Sequence, residues 1–288
     1  NARPHFGRVL RYSGPLGLAT VVAVIASSAD IVVVGGYLNP ISLGVYYAAI
    51  TIASVLSALF VAPLTTTLFA EASFSHQRVE ELTRGTALAL RFTAFTVLPA
   101  SFLAAAIAGQ LFELFSGGSG YSAGIPSLQL ITVFYVFAVV QLVLFSVLQG
   151  VGRTKAVLVV GLVTAFSEIG LSVSLVPGFG LIGAAASRVA VMVLGSLVSV
   201  YLMRGYLGGF TNYLFLAKAF VSSSIPAVVV YALTTFVSSK TITLLPYALI
   251  GLVLFLGCER GLKLVSPEDK EFLNQSMPAQ IRWVSRLL

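Results

Sequence analysis

Apolar residues run along this chain in long blocks, separated by short polar links. Eight blocks stand out, at about 14–36, 43–70, 87–109, 126–150, 154–176, 180–204, 213–237 and 242–258. Each is near the roughly 17–25 residues that cross a bilayer as helix. The pattern predicts an all-α integral membrane protein with about eight transmembrane helices.

The links alternate in charge. Arg3, Arg8 and Arg11 precede the first block; Arg78 and Arg84, then Arg153 and Lys155, then Arg204 and Lys218 mark every second link. The opposite links, LNPIS at 38–42, the 110–125 segment and PGFG at 177–180, contain neither Lys nor Arg, and Lys240 alone marks that side. Basic residues concentrate in cytoplasmic loops, so both termini are expected in the cytoplasm of a cell-membrane protein. The division that follows is a cytoplasmic N-terminal segment at 1–12, a six-helix lobe at 13–207, a helix pair at 208–258 and a cytoplasmic tail at 259–288. In the tail, Ser266 and Pro267 suit a helix start, and QIRWVSRLL places Ile281, Val284 and Leu288 opposite Arg282 and Arg286, as in a surface-lying amphipathic helix. With no initiating Met and no signal-peptide pattern, the chain is expected to begin within a longer protein.

Composition narrows the function. Hydrophobic residues make up 58% and charged residues 9%, with a mean hydropathy of +0.99. Soluble domains carry about 25% charged residues, so water cannot be the main solvent here. The net charge of +7 is accounted for by loop residues and gives no reason to expect nucleic acid. One cysteine, Cys258, excludes an intramolecular disulfide, and His5 and His76 leave little scope for a metal. No Walker motif, nucleophile elbow or dinucleotide fingerprint is present, and no link is long enough for a catalytic domain. The expectation is no enzyme, no cofactor and no metal.

Three charges interrupt the blocks: Asp30, Glu168 and Arg188. An ion at the bilayer centre costs about 2.5–3.5 kcal/mol on insertion scales, so such residues face a cavity or a partner. Glu168 precedes the PGFG turn by nine residues and Arg188 follows it by eight. Similar depth on neighbouring helices predicts that the two approach within ion-pair or one-water distance. Thr164, Glu168 and Ser172 form one polar stripe at helical spacing, and Tyr47, Thr51 and Ser54 form another. Together Arg188, Glu168, Asp30, Tyr47 and Thr51 are the candidate cavity residues. Gly44 with Ala48, Gly161 with Ala165 and Gly183 with Ser187 suit close helix contacts, and Pro63, Pro99 and Pro226 suit kinks. Two segments, ADIVVVGGYLNPISLGVYYAA and SEIGLSVSLVPGFGLIGAAAS, are weakly alike: an acid in a span, a Pro-containing turn, then (L/I)G and small residues.

The first of these segments with its flanks, GPLGLATVVAVIASSADIVVV onward, resembles the start of the second half of polysaccharide-biosynthesis flippases. LQGVGRTKAVLVVGLVTAFSEIGLSVSLVPGFGLIGAAASRVAVM is similar to a later part of that half. These flippases belong to the multidrug/oligosaccharidyl-lipid/polysaccharide exporter superfamily. The resemblance covers about residues 8–275. It implies the second lobe plus terminal helix pair of a two-lobe exporter, with an N-terminal six-helix lobe as partner. It also implies transport of a polyprenyl-phosphate-linked oligosaccharide between leaflets by alternating access, Arg188 meeting the phosphate. The alternatives within the same architecture are a multidrug/cation antiporter and a peptidoglycan lipid-precursor flippase.

Overall fold

A computed structural model describes residues 3–56, 58, 65, 79–116, 119–204, 213–236 and 243–262. The described residues are helical throughout: α1 Arg3–Tyr37, α2 Pro40–Leu56, α3 Val79–Ala106, α4 Ala108–Ser116, a 3-10 turn Ser119–Gly124, α5 Ile125–Val133, α6 Tyr135–Gly150, α7 Thr154–Met203, α8 Tyr213–Phe236 and α9 Leu244–Leu262. Pro63, most of the second block beyond Leu56, the 207/208 boundary and the tail from residue 263 lie outside the described residues.

Five helices are long and apolar enough to span a bilayer, or six when the bent pair α5–α6 counts as one. Two further features bear on the eight expected spans. Helix α7, fifty residues long, is one element only in its hydrogen bonding. At Gly180 the backbone takes φ 57° and ψ −133°, and the chain folds back. Residues 172 and 187 would stand roughly 22 Å apart on a straight helix, yet the Ser172 and Ser187 hydroxyl oxygens are 3.0 Å apart. α7 is therefore a hairpin with arms 154–179 and 181–203, and contributes two crossings. The second feature is α2, whose seventeen described residues are the beginning of the second block.

Local sequence explains the joints. Asn39 accepts the Ser42 backbone N–H at 2.7 Å, and Pro40 takes the first helical position, so α2 starts within LNPIS. Gly152 adopts φ 76° in the turn between α6 and α7. The bend of 46° between α5 and α6 has no proline at its centre. There Phe134 takes φ −92° and ψ 4°, while the Thr132 hydroxyl bonds back to Leu128 O at 2.7 Å. Such back-bonding loosens a helix and permits a bend. α1 is helical from Arg3 onward, and its apolar stretch of spanning length begins at Gly17.

α1 packs chiefly along the α7 hairpin, α6 lies against the same hairpin, and α3 carries α8, which carries α9. A Cβ at Gly161 would meet Val22 and Ala19 O of α1 only at ordinary contact distance, whereas Gly183 lets the two arms meet at Leu175, whose carbonyl a Cβ would strike. Gly44 serves no such contact; it is exposed, with open space where a Cβ would be. The core centres on Tyr46, Leu90, Leu128, Leu144 and Leu148, all nearly fully buried. Leu18, Val21 and Val32 on α1 and Leu245, Leu249 and Val253 on α9 are exposed, as lipid-facing surfaces require. Pro99 and Pro226 help line a cavity of about 440 Å³ between α3, α8 and α9, with Phe92, Gly251 and Phe255.

Candidate functional site

Two helical hairpins meet to form the site. One is α1–α2, turning at Asn39–Pro40; the other is the pair of α7 arms, turning at Gly180. Both weakly similar segments thus fold as hairpins. Asp30 lies seven residues before the end of α1, and Arg188 eight residues beyond Gly180. At 1.5 Å per residue both stand about 10–12 Å below the turns.

Arg188 and Asp30 form a two-pronged ion pair. Arg188 Nε donates to Asp30 Oδ2 at 2.7 Å and Nη2 donates to Oδ1 at 2.9 Å. Nη2 also donates to Ser27 O at 3.0 Å. The planar guanidinium fork matches a carboxylate in this way, which a lysine could not reproduce. Asp30 is completely buried, whereas the Arg188 side chain keeps 16% of its surface. Among the described contacts Nη1 carries no hydrogen bond. The pair is neutral as a unit, which is what makes two ions tolerable at this depth.

Tyr46 completes the arrangement. Its hydroxyl donates to Asp30 Oδ2 at 2.6 Å, and the same oxygen lies 3.1 Å from Ala184 O. The Ile31 backbone N–H donates to Asp30 Oδ1 at 2.9 Å. Asp30 therefore has a second donor on each oxygen, and α1, α2 and the second arm of α7 are tied at one point.

Glu168 is buried but stands apart from this pair. Its Oε1 accepts from the Ser172 hydroxyl at 3.3 Å, and Ser172 contacts Ser187 across the hairpin. No direct ion pair between Glu168 and Arg188 is formed; the ion-pair partner of Arg188 is Asp30. The reason is rotation. Successive helical residues turn by about 100°, so once Ser187 faces the first arm, Arg188 faces away from it, towards α1. Equal depth did not single out the direct partner, because depth carries no information about direction around the axis.

Of the two polar stripes, Thr164, Glu168 and Ser172 are buried at the hairpin and its contact with α1. Tyr47 and Thr51 do not join the charged cluster. Tyr47 is 58% exposed, and the Thr51 and Ser54 hydroxyls bond back to their own helix at Tyr47 O and Thr51 O. The tyrosine of the cluster is its neighbour, Tyr46. The phase of α2 held that signal: Val45, Ala49, Ile52, Ala53 and Leu56 are buried, and Tyr46 belongs to their stripe. No group of three or more acidic, His or Cys side chains that could hold a metal occurs among the described residues.

Residues 2–121 match the family described as polysaccharide biosynthesis protein. The fold resembles the lipid II flippase MurJ in an inward closed conformation, with a TM-score of 0.75 at 19% identity over 90% of this chain. The chain spans 56% of the length of that flippase. An outward-facing multidrug resistance transporter of the MATE family aligns with a TM-score of 0.57 at 15% identity, over 93% of this chain and 67% of its own. A superfamily transporter from Pyrococcus furiosus, described as having a binding pocket of reversed polarity, gives 0.55 at 17% identity, again over 93% and 67%. No curated protein sequence matches the chain. The chain is an all-helical, multi-pass membrane protein whose fold is part of that of the multidrug/oligosaccharidyl-lipid/polysaccharide exporters.

Proposed function

We propose that this chain forms the second lobe and terminal helix pair of a flippase that moves polyprenyl-phosphate-linked oligosaccharide across the membrane by alternating access. The observation that carries the reading is Arg188: a partly open guanidinium deep in a helical hairpin, on an exporter fold. An anionic phosphate head group is the cargo that such a cation suits. The cation needs an internal counter-charge when no cargo is present, and Asp30 supplies it. The hydroxyl stripe of Tyr47, Thr51 and Ser54 is then the wall turned towards an N-terminal lobe, where a sugar would find hydrogen-bonding groups. The apolar cavity between α3, α8 and α9 suits hydrocarbon and not sugar.

The discriminating experiment reconstitutes the full-length exporter containing this chain into proteoliposomes. A labelled lipid-linked oligosaccharide should become accessible on the opposite leaflet, while an organic cation such as ethidium should not be moved. Cation efflux without movement of the glycan lipid would establish the antiporter reading instead. Orientation has its own test. Cysteines placed at Ser42 and Ser119 should react with a membrane-impermeant reagent from outside, and one at Arg153 only after permeabilisation. Reversed labelling would invert the topology, placing the charge pair in the inner half of the membrane.

A further inference from the structure

The contacts of Arg188 pose a difficulty for any anion that would use it. Nε and Nη2 are both engaged, and only Nη1 remains. A phosphate reaching Nη1 alone would be held by a single nitrogen, not by the parallel N–H groups of two neighbouring nitrogens that make arginine a strong phosphate ligand. To engage two nitrogens, it must displace either Asp30 from the Nε–Nη2 edge or Ser27 O from Nη2, and of the two only Asp30 carries a charge that competes with an anion.

We infer that Asp30 is a built-in competitor for Arg188, so that a phosphate group binds by exchanging partners with the carboxylate. The inference rests on the phosphate reading of Arg188 given above and adds how that site is regulated. What makes the exchange feasible is the bonding that Asp30 would retain. Oδ2 keeps the Tyr46 hydroxyl at 2.6 Å, and Oδ1 keeps the Ile31 N–H at 2.9 Å. A buried carboxylate stripped of every donor would be far too costly to leave behind, whereas one holding a donor on each oxygen is tolerable. Tyr46 is thus a positioning residue: it acts on Arg188 through Asp30. The arrangement also explains why the pair is asymmetrically buried, with the acid fully enclosed and the arginine partly open. The group that must move is the one with access.

Two substitutions in contact with each other are therefore expected to act in opposite directions. Asp30→Asn removes the competing charge and frees the guanidinium edge, so phosphate binding tightens. Tyr46→Phe retains the ring and both charges but withdraws the donor from Oδ2, leaving Asp30 more dependent on Arg188, so binding weakens. A purely structural role for the cluster would make both variants weaker.

The probe is polyprenyl monophosphate in phosphatidylcholine nanodiscs containing the full chain, with neutral polyprenol as the reference lipid. The readout is the dissociation constant, with thermal unfolding of each variant measured alongside. Asp30→Asn should lower the constant for polyprenyl monophosphate roughly tenfold, and Tyr46→Phe should raise it by about threefold or more, as expected for the loss of one charged or one charge-assisted contact. Polyprenol should respond to neither, and Arg188→Gln should abolish the preference for the phosphorylated lipid. If binding depends on Arg188 but Asp30→Asn leaves it unchanged or weaker, partner exchange is wrong while the phosphate reading stands. Should Asp30→Asn prove too unstable to test, equal or tighter binding by Tyr46→Phe overturns the exchange by itself. Binding indifferent to Arg188→Gln would overturn the phosphate reading and the inference with it.

Discussion

Arg188→Ala should destabilise the folded protein by about 3–5 kcal/mol, the scale observed when one partner of a buried ion pair is removed. The loss has two parts. Three charge-assisted bonds disappear, to Asp30 Oδ1, Asp30 Oδ2 and Ser27 O. More importantly, Asp30 is left with no exposed surface and no counter-charge within ion-pair distance among the described residues. Glu168, the other buried acid of the hairpin, cannot help, since it carries the same sign. The second substitution Asp30→Asn should return most of the loss, because the amide needs no counter-ion and can still accept from Tyr46. The thermal midpoint in detergent measures both. A stable Arg188→Ala single variant would show that the pair is not what holds α1 and α2 to the α7 hairpin.

Gly180→Ala should also be destabilising, by about 1–3 kcal/mol, for a reason unrelated to packing. A Cβ at Gly180 meets nothing within 4 Å, so space is not at issue. The cost lies in φ 57° with ψ −133°, a combination that suits the first central residue of a type II′ turn and that side chains disfavour. Gly180→Val should be worse, because branching at Cβ narrows the backbone choice further. Gly178, two residues earlier, also has open space but no positive φ, and Gly178→Ala should leave the thermal midpoint nearly unchanged. Equal effects at the two glycines would mean that the hairpin does not turn on Gly180. The stakes at this turn extend to the site, since Ser172, Ser187 and Arg188 take their places only once the arms fold together.

What could be read in advance follows from how lipid constrains a chain. The membrane demands long apolar blocks, so most of the helices and their approximate ends were visible, including the turn at PGFG inside what hydrogen bonding joins as one fifty-residue helix. The turn at LNPIS was equally visible, and there Asn39 and Pro40 act through local bonding. The bend at Phe134 was not, as it arises from Thr132 turning its hydroxyl back on its own helix and not from a proline.

For the site, the residue types were legible and their pairing was not. Asp30, Glu168 and Arg188 stood out because charges are rare in lipid. Their depths could be counted along each helix, but which side of a helix faces which neighbour depends on the packed fold. A soluble helix discloses its inner face by apolar periodicity; a span apolar on nearly all sides conceals it. The same ambiguity separated Tyr47, chosen for its polar stripe, from Tyr46, which sits one residue and about 100° away against Asp30. The polar stripe on α2 marks an uncovered face of this chain, and the buried tyrosine marks the junction of its helices.

The measurement that bears most directly on the account is flipping by the charge-free pair, Asp30→Asn with Arg188→Gln, in the full-length exporter. This variant removes both buried charges together, so it should fold with a thermal midpoint close to that of the unaltered protein. Movement of polyprenyl-phosphate-linked oligosaccharide across proteoliposome membranes should nevertheless be lost, because no guanidinium remains to meet the phosphate. A folded charge-free variant that translocates the glycan lipid at the normal rate would contradict the account and reduce Arg188 and Asp30 to a helix tether.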